Sequence, residues 1–121
     1  LALTRGEQLR DFIHIDDVVQ AYDLILERQN QFAASHAIDV GSGDAVTIRS
    51  FVEMVKQVAG TETALDFGAV PYRTKEAMLC VADTTRLRSM GWQPTLTLAD
   101  GLRHLIEVGR RSVLASGTDQ L

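Results

Sequence analysis

The feature that most constrains this chain is a helical stripe placed directly after a β-type opening. Val18, Ala21, Tyr22, Ile25 and Leu26 recur at i, i+3, i+4, i+7 and i+8, the spacing that gathers apolar groups on one side of an α-helix. Ahead of it, the runs Leu1 to Thr4 and Leu9 to Ile15 flank a polar cluster around Gly6, which predicts a strand, a turn and a second strand. The alternation then repeats. Ala37-Ile38-Asp39-Val40 predicts a strand stopped by Gly41-Ser42-Gly43, and Ile48, Phe51, Val52, Val55 and Val58 share a second helical face. Thr63 to Phe67 and Leu79 to Ala82 predict further strands, and Thr84 or Thr85 opens a short helix that Gly91 ends. Leu98, Leu102, Leu105 and Ile106 mark a last helix. Strands alternating with helices over 121 residues define an α/β arrangement in one domain.

Element ends carry their own signals. Asp16 or Asp17 is expected to cap the first helix, which ends near Arg28, where a cation suits the negative end of the helix dipole. Gln29 to Ser35 is polar and reads as a loop. Thr47 is expected to cap the second helix, and Gly60 stands where a left-handed C-terminal residue is wanted. The stretch through Pro71 and Tyr72 is irregular. Thr97 to Asp100 resembles a capping box with Asp in place of Glu. Periodicity is lost from Ser112 to Leu121, so the domain is expected over 1–111 and a disordered tail over 112–121.

Composition removes several function classes. A net charge of −4 and a pI near 5.2 lack the basic face of a nucleic-acid binder. No apolar run approaches the ~18 to 20 residues of a membrane span, and no secretory signal pattern opens the chain, so a cytoplasmic protein is expected. The single cysteine, Cys80, excludes an internal disulfide or a CxxC centre and reads as a small buried hydrophobe. His14, His36 and His104 lie on three predicted elements without helical metal-pair spacing, so no metal site is expected. Trp92 reads as a core or rim anchor. Gly41 to Val46 begins like a dinucleotide-binding turn but lacks the third glycine, and a plain strand-to-helix turn is the better reading.

Two segments hold residues able to bind an anion. Arg10 and Asp11 sit inside an apolar strand, beside Phe12 and Ile13. The planar fork of Arg10 suits either a structural ion pair or a phosphate. Arg73 lies three residues before Glu76 after the irregular stretch; the two form either a solvated loop pair or a clamp on a phosphate and a ribose hydroxyl.

Longer motifs bring a family resemblance. Arg10-Asp11-Phe12-Ile13-His14-Ile15-Asp16-Asp17-Val18-Val19 resembles the R-D-F/Y-I/V-H/Y-V-x-D-V/L-A/V signature of extended short-chain dehydrogenase/reductases acting on nucleotide sugars. Leu3-Thr4-Arg5-Gly6-Glu7-Gln8 resembles their L-T-x-G-x-Q hairpin. Ile38-Asp39-Val40-Gly41-Ser42-Gly43 resembles their last parallel strand. Pro71 to Glu76, Ala82 to Leu87 and Gly91-Trp92-Gln93-Pro94 resemble three further segments, in the family's order. The resemblance spans roughly residues 3 to 108. It implies that Arg10 and Arg73 bind the pyrophosphate of a nucleotide diphosphate sugar and that Glu76 bonds the nucleotide ribose.

The departures from that family matter equally. A full enzyme of the type carries an N-terminal Rossmann half with a glycine-rich loop for NAD or NADP, and a Tyr-x-x-x-Lys pair for proton and hydride transfer. Here Tyr22 and Tyr72 are followed four residues on by Leu26 and Glu76. The resemblance therefore implies the C-terminal substrate-binding portion of an extended Rossmann-type enzyme, lacking the N-terminal cofactor-binding half, inactive alone and binding no cofactor itself. No residue is assigned a catalytic role. Without that half, Val18, Tyr22, Ile25 and a free strand edge would face water, so self-association or pairing with an N-terminal Rossmann portion is expected. The competing reading is a non-catalytic nucleotide-binding or oligomerisation module.

Overall fold

The computed structural model describes residues 1–32 and 37–117. In order, the elements are strands β1 (Ala2–Leu3) and β2 (Leu9–Asp11), helix α1 (Ile15–Glu27), a 3-10 turn (Gln29–Gln31), strand β3 (Ala45–Thr47) and helix α2 (Ile48–Ala59). Strands β4 (Asp66–Phe67) and β5 (Leu79–Cys80) and helices α3 (Thr85–Ser89) and α4 (Leu98–Gly117) complete the order.

β2 is the centre of a three-stranded sheet. It runs antiparallel to β3, with Arg10 opposite Val46, and parallel to β5, with Arg10 opposite Cys80. β1 instead pairs in parallel with β4, a strand of two residues where the sequence predicts a longer one. The turn at Gly6 therefore does not close a hairpin. The first turn of α2 docks against it: Arg49 N–H donates to the Gly6 carbonyl at 2.9 Å and Ile48 N–H to the Gln8 carbonyl at 3.0 Å. Those bonds direct the chain from one sheet to the other.

The expected strand at Ala37 to Val40 has no ladder, because no strand among the described residues lies beside it. It keeps a strand's alternation all the same: Ile38 and Val40 are half-buried against the core, while Ala37 and Asp39 are exposed. The strand that does form, β3, comes where the chain turns back along β2. The expected loop residue Ser35 and the histidine His36 lie outside the described residues.

The helix ends partly obey the local signals. Thr47 accepts the Ser50 N–H at 3.1 Å, and Gly60 adopts the left-handed conformation with φ 63°. Thr97 accepts the Asp100 N–H at 3.1 Å and donates its hydroxyl back to the Asp100 carboxylate at 2.6 Å, a capping box closed through side chains. The cap of α1 is neither Asp16 nor Asp17 but His14, whose Nδ1 accepts the Asp16 N–H at 3.2 Å. Asp17 is turned inward instead. α4 runs on past Ser112 to Gly117, with an Arg111–Glu107 ion pair one turn apart just ahead of that point. Residues 118–121 of the expected tail lie outside the description.

Ala21 of α1, Leu87 of α3 and Trp92 form the buried core, with Ile13, Leu24, Ile25, Ile38 and Val40 packed around them. Trp92 is thus the anchor its position predicts. α1 turns Asp17 and Ala21 to this core. Its other side presents Ile15, Val19, Tyr22 and Leu26, each more than half exposed. Of the residues expected to face water, Tyr22 does, whereas Val18 and Ile25 are half-buried. Helix α1 is therefore apolar on two sides, the pattern of an element covered on both. Cys80 is exposed, not buried, because β5 is an edge strand with both residues open. Among the described residues, no helix is long and apolar enough to cross a membrane.

Candidate functional site

Successive residues of a strand point to opposite faces, and β2 uses this to separate Arg10 from Asp11. Arg10 does not pair with its neighbour. Its Nη2 donates to Glu76 Oε1 at 2.8 Å, and its Nη1 to the Leu9 carbonyl at 2.9 Å. The side chains of Arg10 and Glu76 are 25% and 19% exposed, so the pair is screened less than a surface bridge.

Asp11 serves the other face. Its carboxylate accepts the Ser42 N–H at 2.8 Å, the Ser42 hydroxyl at 2.5 Å, the Gly43 N–H at 2.9 Å and the Ala82 N–H at 3.2 Å. Burial raises its pKa, but the hydrogen bonds from Ser42, Gly43 and Ala82 outweigh that and hold it below the ordinary 3.8. Gly41 makes this approach possible, since a Cβ there would lie 2.5 Å from Ala82 Cβ and 2.6 Å from Asp11 Oδ2. The same contacts decide whether NAD or NADP could use the loop. A dinucleotide pyrophosphate needs free amides backed by a helix N-terminus. Here Asp11 takes the amides and the loop leads into β3, not a helix, so its residues do not fit that cofactor.

The segment after β4 is pinned at both ends. Val70 N–H donates to the Leu3 carbonyl at 3.0 Å. The Tyr72 hydroxyl accepts the Glu7 N–H at 3.0 Å and donates to Glu7 Oε2 at 3.0 Å. Glu76 N–H closes a turn on the Arg73 carbonyl at 3.1 Å, and Glu76 itself reaches Arg10. Arg73 stands between these anchors, exposed, with no hydrogen bond or ion pair to its guanidinium among the described residues. The structure thus joins Arg10 to Glu76 and carries Arg73 on the same loop, but does not form an Arg73–Glu76 pair. Within the turn, Lys75 has φ 63°, the left-handed region that favours glycine. Lys75→Gly should raise stability by ~0.5 to 1 kcal/mol, the relieved strain exceeding the added unfolded-state entropy. A thermal melt in which Lys75→Gly gains and Lys75→Val loses stability checks this.

Sequence spacing keeps the histidines apart, yet folding stacks the His14 and His104 rings with centroids 5.2 Å apart. With Asp16 they form a cluster whose potential ligand atoms lie within 4.8 Å of one another. Its geometry is spent on capping: His14 Nδ1 already serves an amide, and the positive end of α1 disfavours a cation there. An apolar cavity of about 480 Å³ opens nearby, between Phe12, Val46, Phe51 and Leu102. Neither Arg10, Arg73 nor Glu76 lines it, and its mostly hydrocarbon walls do not suit a diphosphate.

The mixed α/β fold is shared with solved nucleotide-sugar enzymes. The chain superposes on UDP-glucose 4-epimerase from Thermotoga maritima, solved with UDP-glucose, at a TM-score of 0.77 and 26% identity, over 89% of this chain and 33% of that one. It matches MoeE5, solved with UDP-glucose and NAD, at a TM-score of 0.79 and 30% identity, over 93% of this chain and 37% of that one. In sequence it is 36% identical over 106 residues to CDP-abequose synthase of Salmonella typhimurium, 86% of this chain and 36% of that protein. It is 37% identical over 98 residues to GDP-L-fucose synthase 1 of Arabidopsis thaliana, 80% of this chain and 28% of that protein. The GDP-mannose 4,6 dehydratase family model matches residues 1–105, and the chain belongs to that family. It spans about a third of the length of these relatives.

Proposed function

We propose that this chain is the C-terminal, nucleotide-sugar-binding portion of an NAD(P)-dependent nucleotide-sugar epimerase, dehydratase or reductase. One observation carries the reading. Arg10, from the central strand, meets Glu76, from the loop that also bears the unengaged Arg73. Two guanidinium groups with one carboxylate match a diphosphate flanked by a ribose: the arginines take phosphate oxygens, and the carboxylate takes ribose hydroxyls. The relatives that share the fold were solved with UDP-glucose or NAD, which supports a nucleotide-sugar ligand.

NAD or NADP would supply hydride chemistry in the longer protein, and no residue of this chain is assigned a step in it. The contribution of Arg10, Arg73 and Glu76 is to bind and orient the nucleotide, leaving the sugar to be presented elsewhere. The Ile38–Val40 segment, without a strand ladder among the described residues, and the apolar stripe of Ile15, Val19, Tyr22 and Leu26 fit an N-terminal Rossmann portion laid against them. A cytoplasmic location goes with that reading. The same stripe favours the second reading, an oligomerisation module, in which a further copy covers it.

Calorimetric titration with UDP-, GDP- and CDP-linked sugars tests the proposal. Arg10→Ala and Arg73→Ala should each weaken binding about tenfold or more, the loss of a charge-assisted hydrogen bond. Equal affinity in wild type and both variants, or no binding at all by the wild type, would overturn it.

A further inference from the structure

We propose that the apolar cavity beside His14 is a second binding site, for a compact neutral molecule that is mostly hydrocarbon and carries one carbonyl acceptor. The inference is independent of the anion-binding reading, since neither Arg10, Arg73 nor Glu76 lines this cavity. Its volume of about 480 Å³ falls among those of small-molecule sites, which are mostly apolar with a few placed polar groups. The Phe12 and Phe51 rings, stacked with centroids 3.8 Å apart, form part of its wall, with Val46, Leu102 and Leu105 beside them.

The polar side chains of the lining decide what such a molecule must carry. Ser42 is spent: its hydroxyl donates to Asp11 Oδ1 at 2.5 Å and accepts the Asp44 N–H at 3.1 Å. Thr97 is spent on the start of α4, accepting the Asp100 N–H and donating to the Asp100 carboxylate. His14 is not. Its Nδ1 accepts the Asp16 N–H at 3.2 Å. An imidazole nitrogen that accepts carries no proton, so the capping ring is neutral with its hydrogen on Nε2. No hydrogen bond among the described residues uses that second N–H. Capping thus makes His14 a donor of fixed tautomer. The ring is also held in place: it stacks on His104 and lies against Gly101, where an added Cβ would come within 3.3 Å of its Cδ2. An anion is disfavoured by Asp16, whose carboxylate lies 3.5 Å from His14 Nδ1, and by Asp44 on the lining. A neutral carbonyl oxygen meets the one unspent side-chain donor without adding a charge, and a hydrocarbon body suits the remaining walls.

The test is an NMR titration of the isotope-labelled chain with three probes of similar shape. They are benzophenone, the geminal diphenylethene in which a methylene group replaces the carbonyl oxygen, and diphenylacetate. Benzophenone should shift the methyl signals of Val46, Leu102 and Leu105 and the ring nitrogens of His14. It should bind about fivefold more tightly than the alkene, the worth of one net hydrogen bond, and diphenylacetate should bind most weakly. Leu105→Trp, at a position that lines the cavity yet is 62% exposed, should fill its mouth and abolish the shifts without lowering the melting temperature. His14→Ser keeps an oxygen able to cap α1 but removes the ring, so it should bind ketone and alkene equally. Absence of these shifts with benzophenone, or shifts that survive Leu105→Trp, overturns the site. An alkene bound as tightly as the ketone by the wild type, or a ketone advantage that persists in His14→Ser, overturns the role of His14 and with it the ligand class. Binding of benzophenone by a chain that binds no nucleotide sugar would uphold this site while the reading of Arg10 and Arg73 falls.

Discussion

Leu87→Ala should lower the stability of the chain by about 2 to 5 kcal/mol, the range for emptying a fully buried aliphatic site. Leu87 is 0% exposed and packs with Ala21 and Trp92 in the main buried cluster. It is the one buried residue of α3, which spans only Thr85–Ser89. A helix that short has no stability of its own and persists through docking alone. The consequences extend beyond the cavity. Arg88 donates from Nε to Thr84 Oγ1 at 3.0 Å and from Nη2 to the Ser42 carbonyl at 3.0 Å. Loosening α3 therefore loosens the loop that Asp11 holds against β2. In denaturant titration the midpoint should fall with an unchanged slope. Leu105→Ala, at a position 62% exposed, should change stability by less than ~0.5 kcal/mol. A Leu87→Ala loss no larger than that of Leu105→Ala would refute the assignment of the core.

Asp17→Ala should cost on the order of 3 kcal/mol. The side chain is fully buried, and its carboxylate accepts the Thr95 N–H at 2.8 Å, the Thr95 hydroxyl at 2.7 Å and the Leu96 N–H at 3.2 Å. Removing it strands two backbone amides and a hydroxyl, and each buried unsatisfied donor costs ~1 kcal/mol or more. Those bonds also place the residues just ahead of α4. Burial raises the Asp17 pKa, but the Thr95 and Leu96 bonds, with the charge of His14, bring it below the ordinary 3.8. That lowering fixes the direction of the pH effect. A carboxylate whose folded pKa is lowered stabilises the fold above the unfolded pKa near 3.8, and that contribution disappears as pH falls through the lowered value. Asp11 adds to the same acid limb. Wild-type stability should thus hold from neutral pH to roughly pH 5 and drop below it. Asp17→Ala should start lower and drop less steeply. An acid limb of unchanged steepness in the variant would remove Asp17 from its cause.

Local signals identify much of this molecule. The three long helices, the Thr47 and Thr97 caps and the left-handed Gly60 depend on neighbours within about four residues, a distance over which side-chain spacing is geometry. The anion-binding candidates are equally visible, because Arg10, Arg73 and Glu76 are the residue types that bind a diphosphate and a ribose, set in recognisable motifs. Two other residues are not. Asp17 has the look of a cap, since an aspartate at a helix start ordinarily serves that role; only its contact with Thr95 and Leu96 turns it inward. Asp11 has the look of a partner for Arg10, yet the strand's alternation sends the two to opposite faces.

By itself, then, the sequence determined the α/β alternation and most helix boundaries to within a few residues, and it offered a set of candidate ligand-binding groups. The tertiary structure alone decided how they combine. It placed β2 between β3 and β5 and, among the described residues, left Ile38–Val40 without a ladder. It stacked His14 on His104, gave α1 a second apolar side and brought Glu76, 66 residues away in sequence, onto Arg10. The physical reason is the same in each case. A helix or a cap is closed by bonds between near neighbours, whereas a strand ladder, a buried carboxylate and a cross-chain ion pair each need a partner whose position depends on the path of the intervening chain.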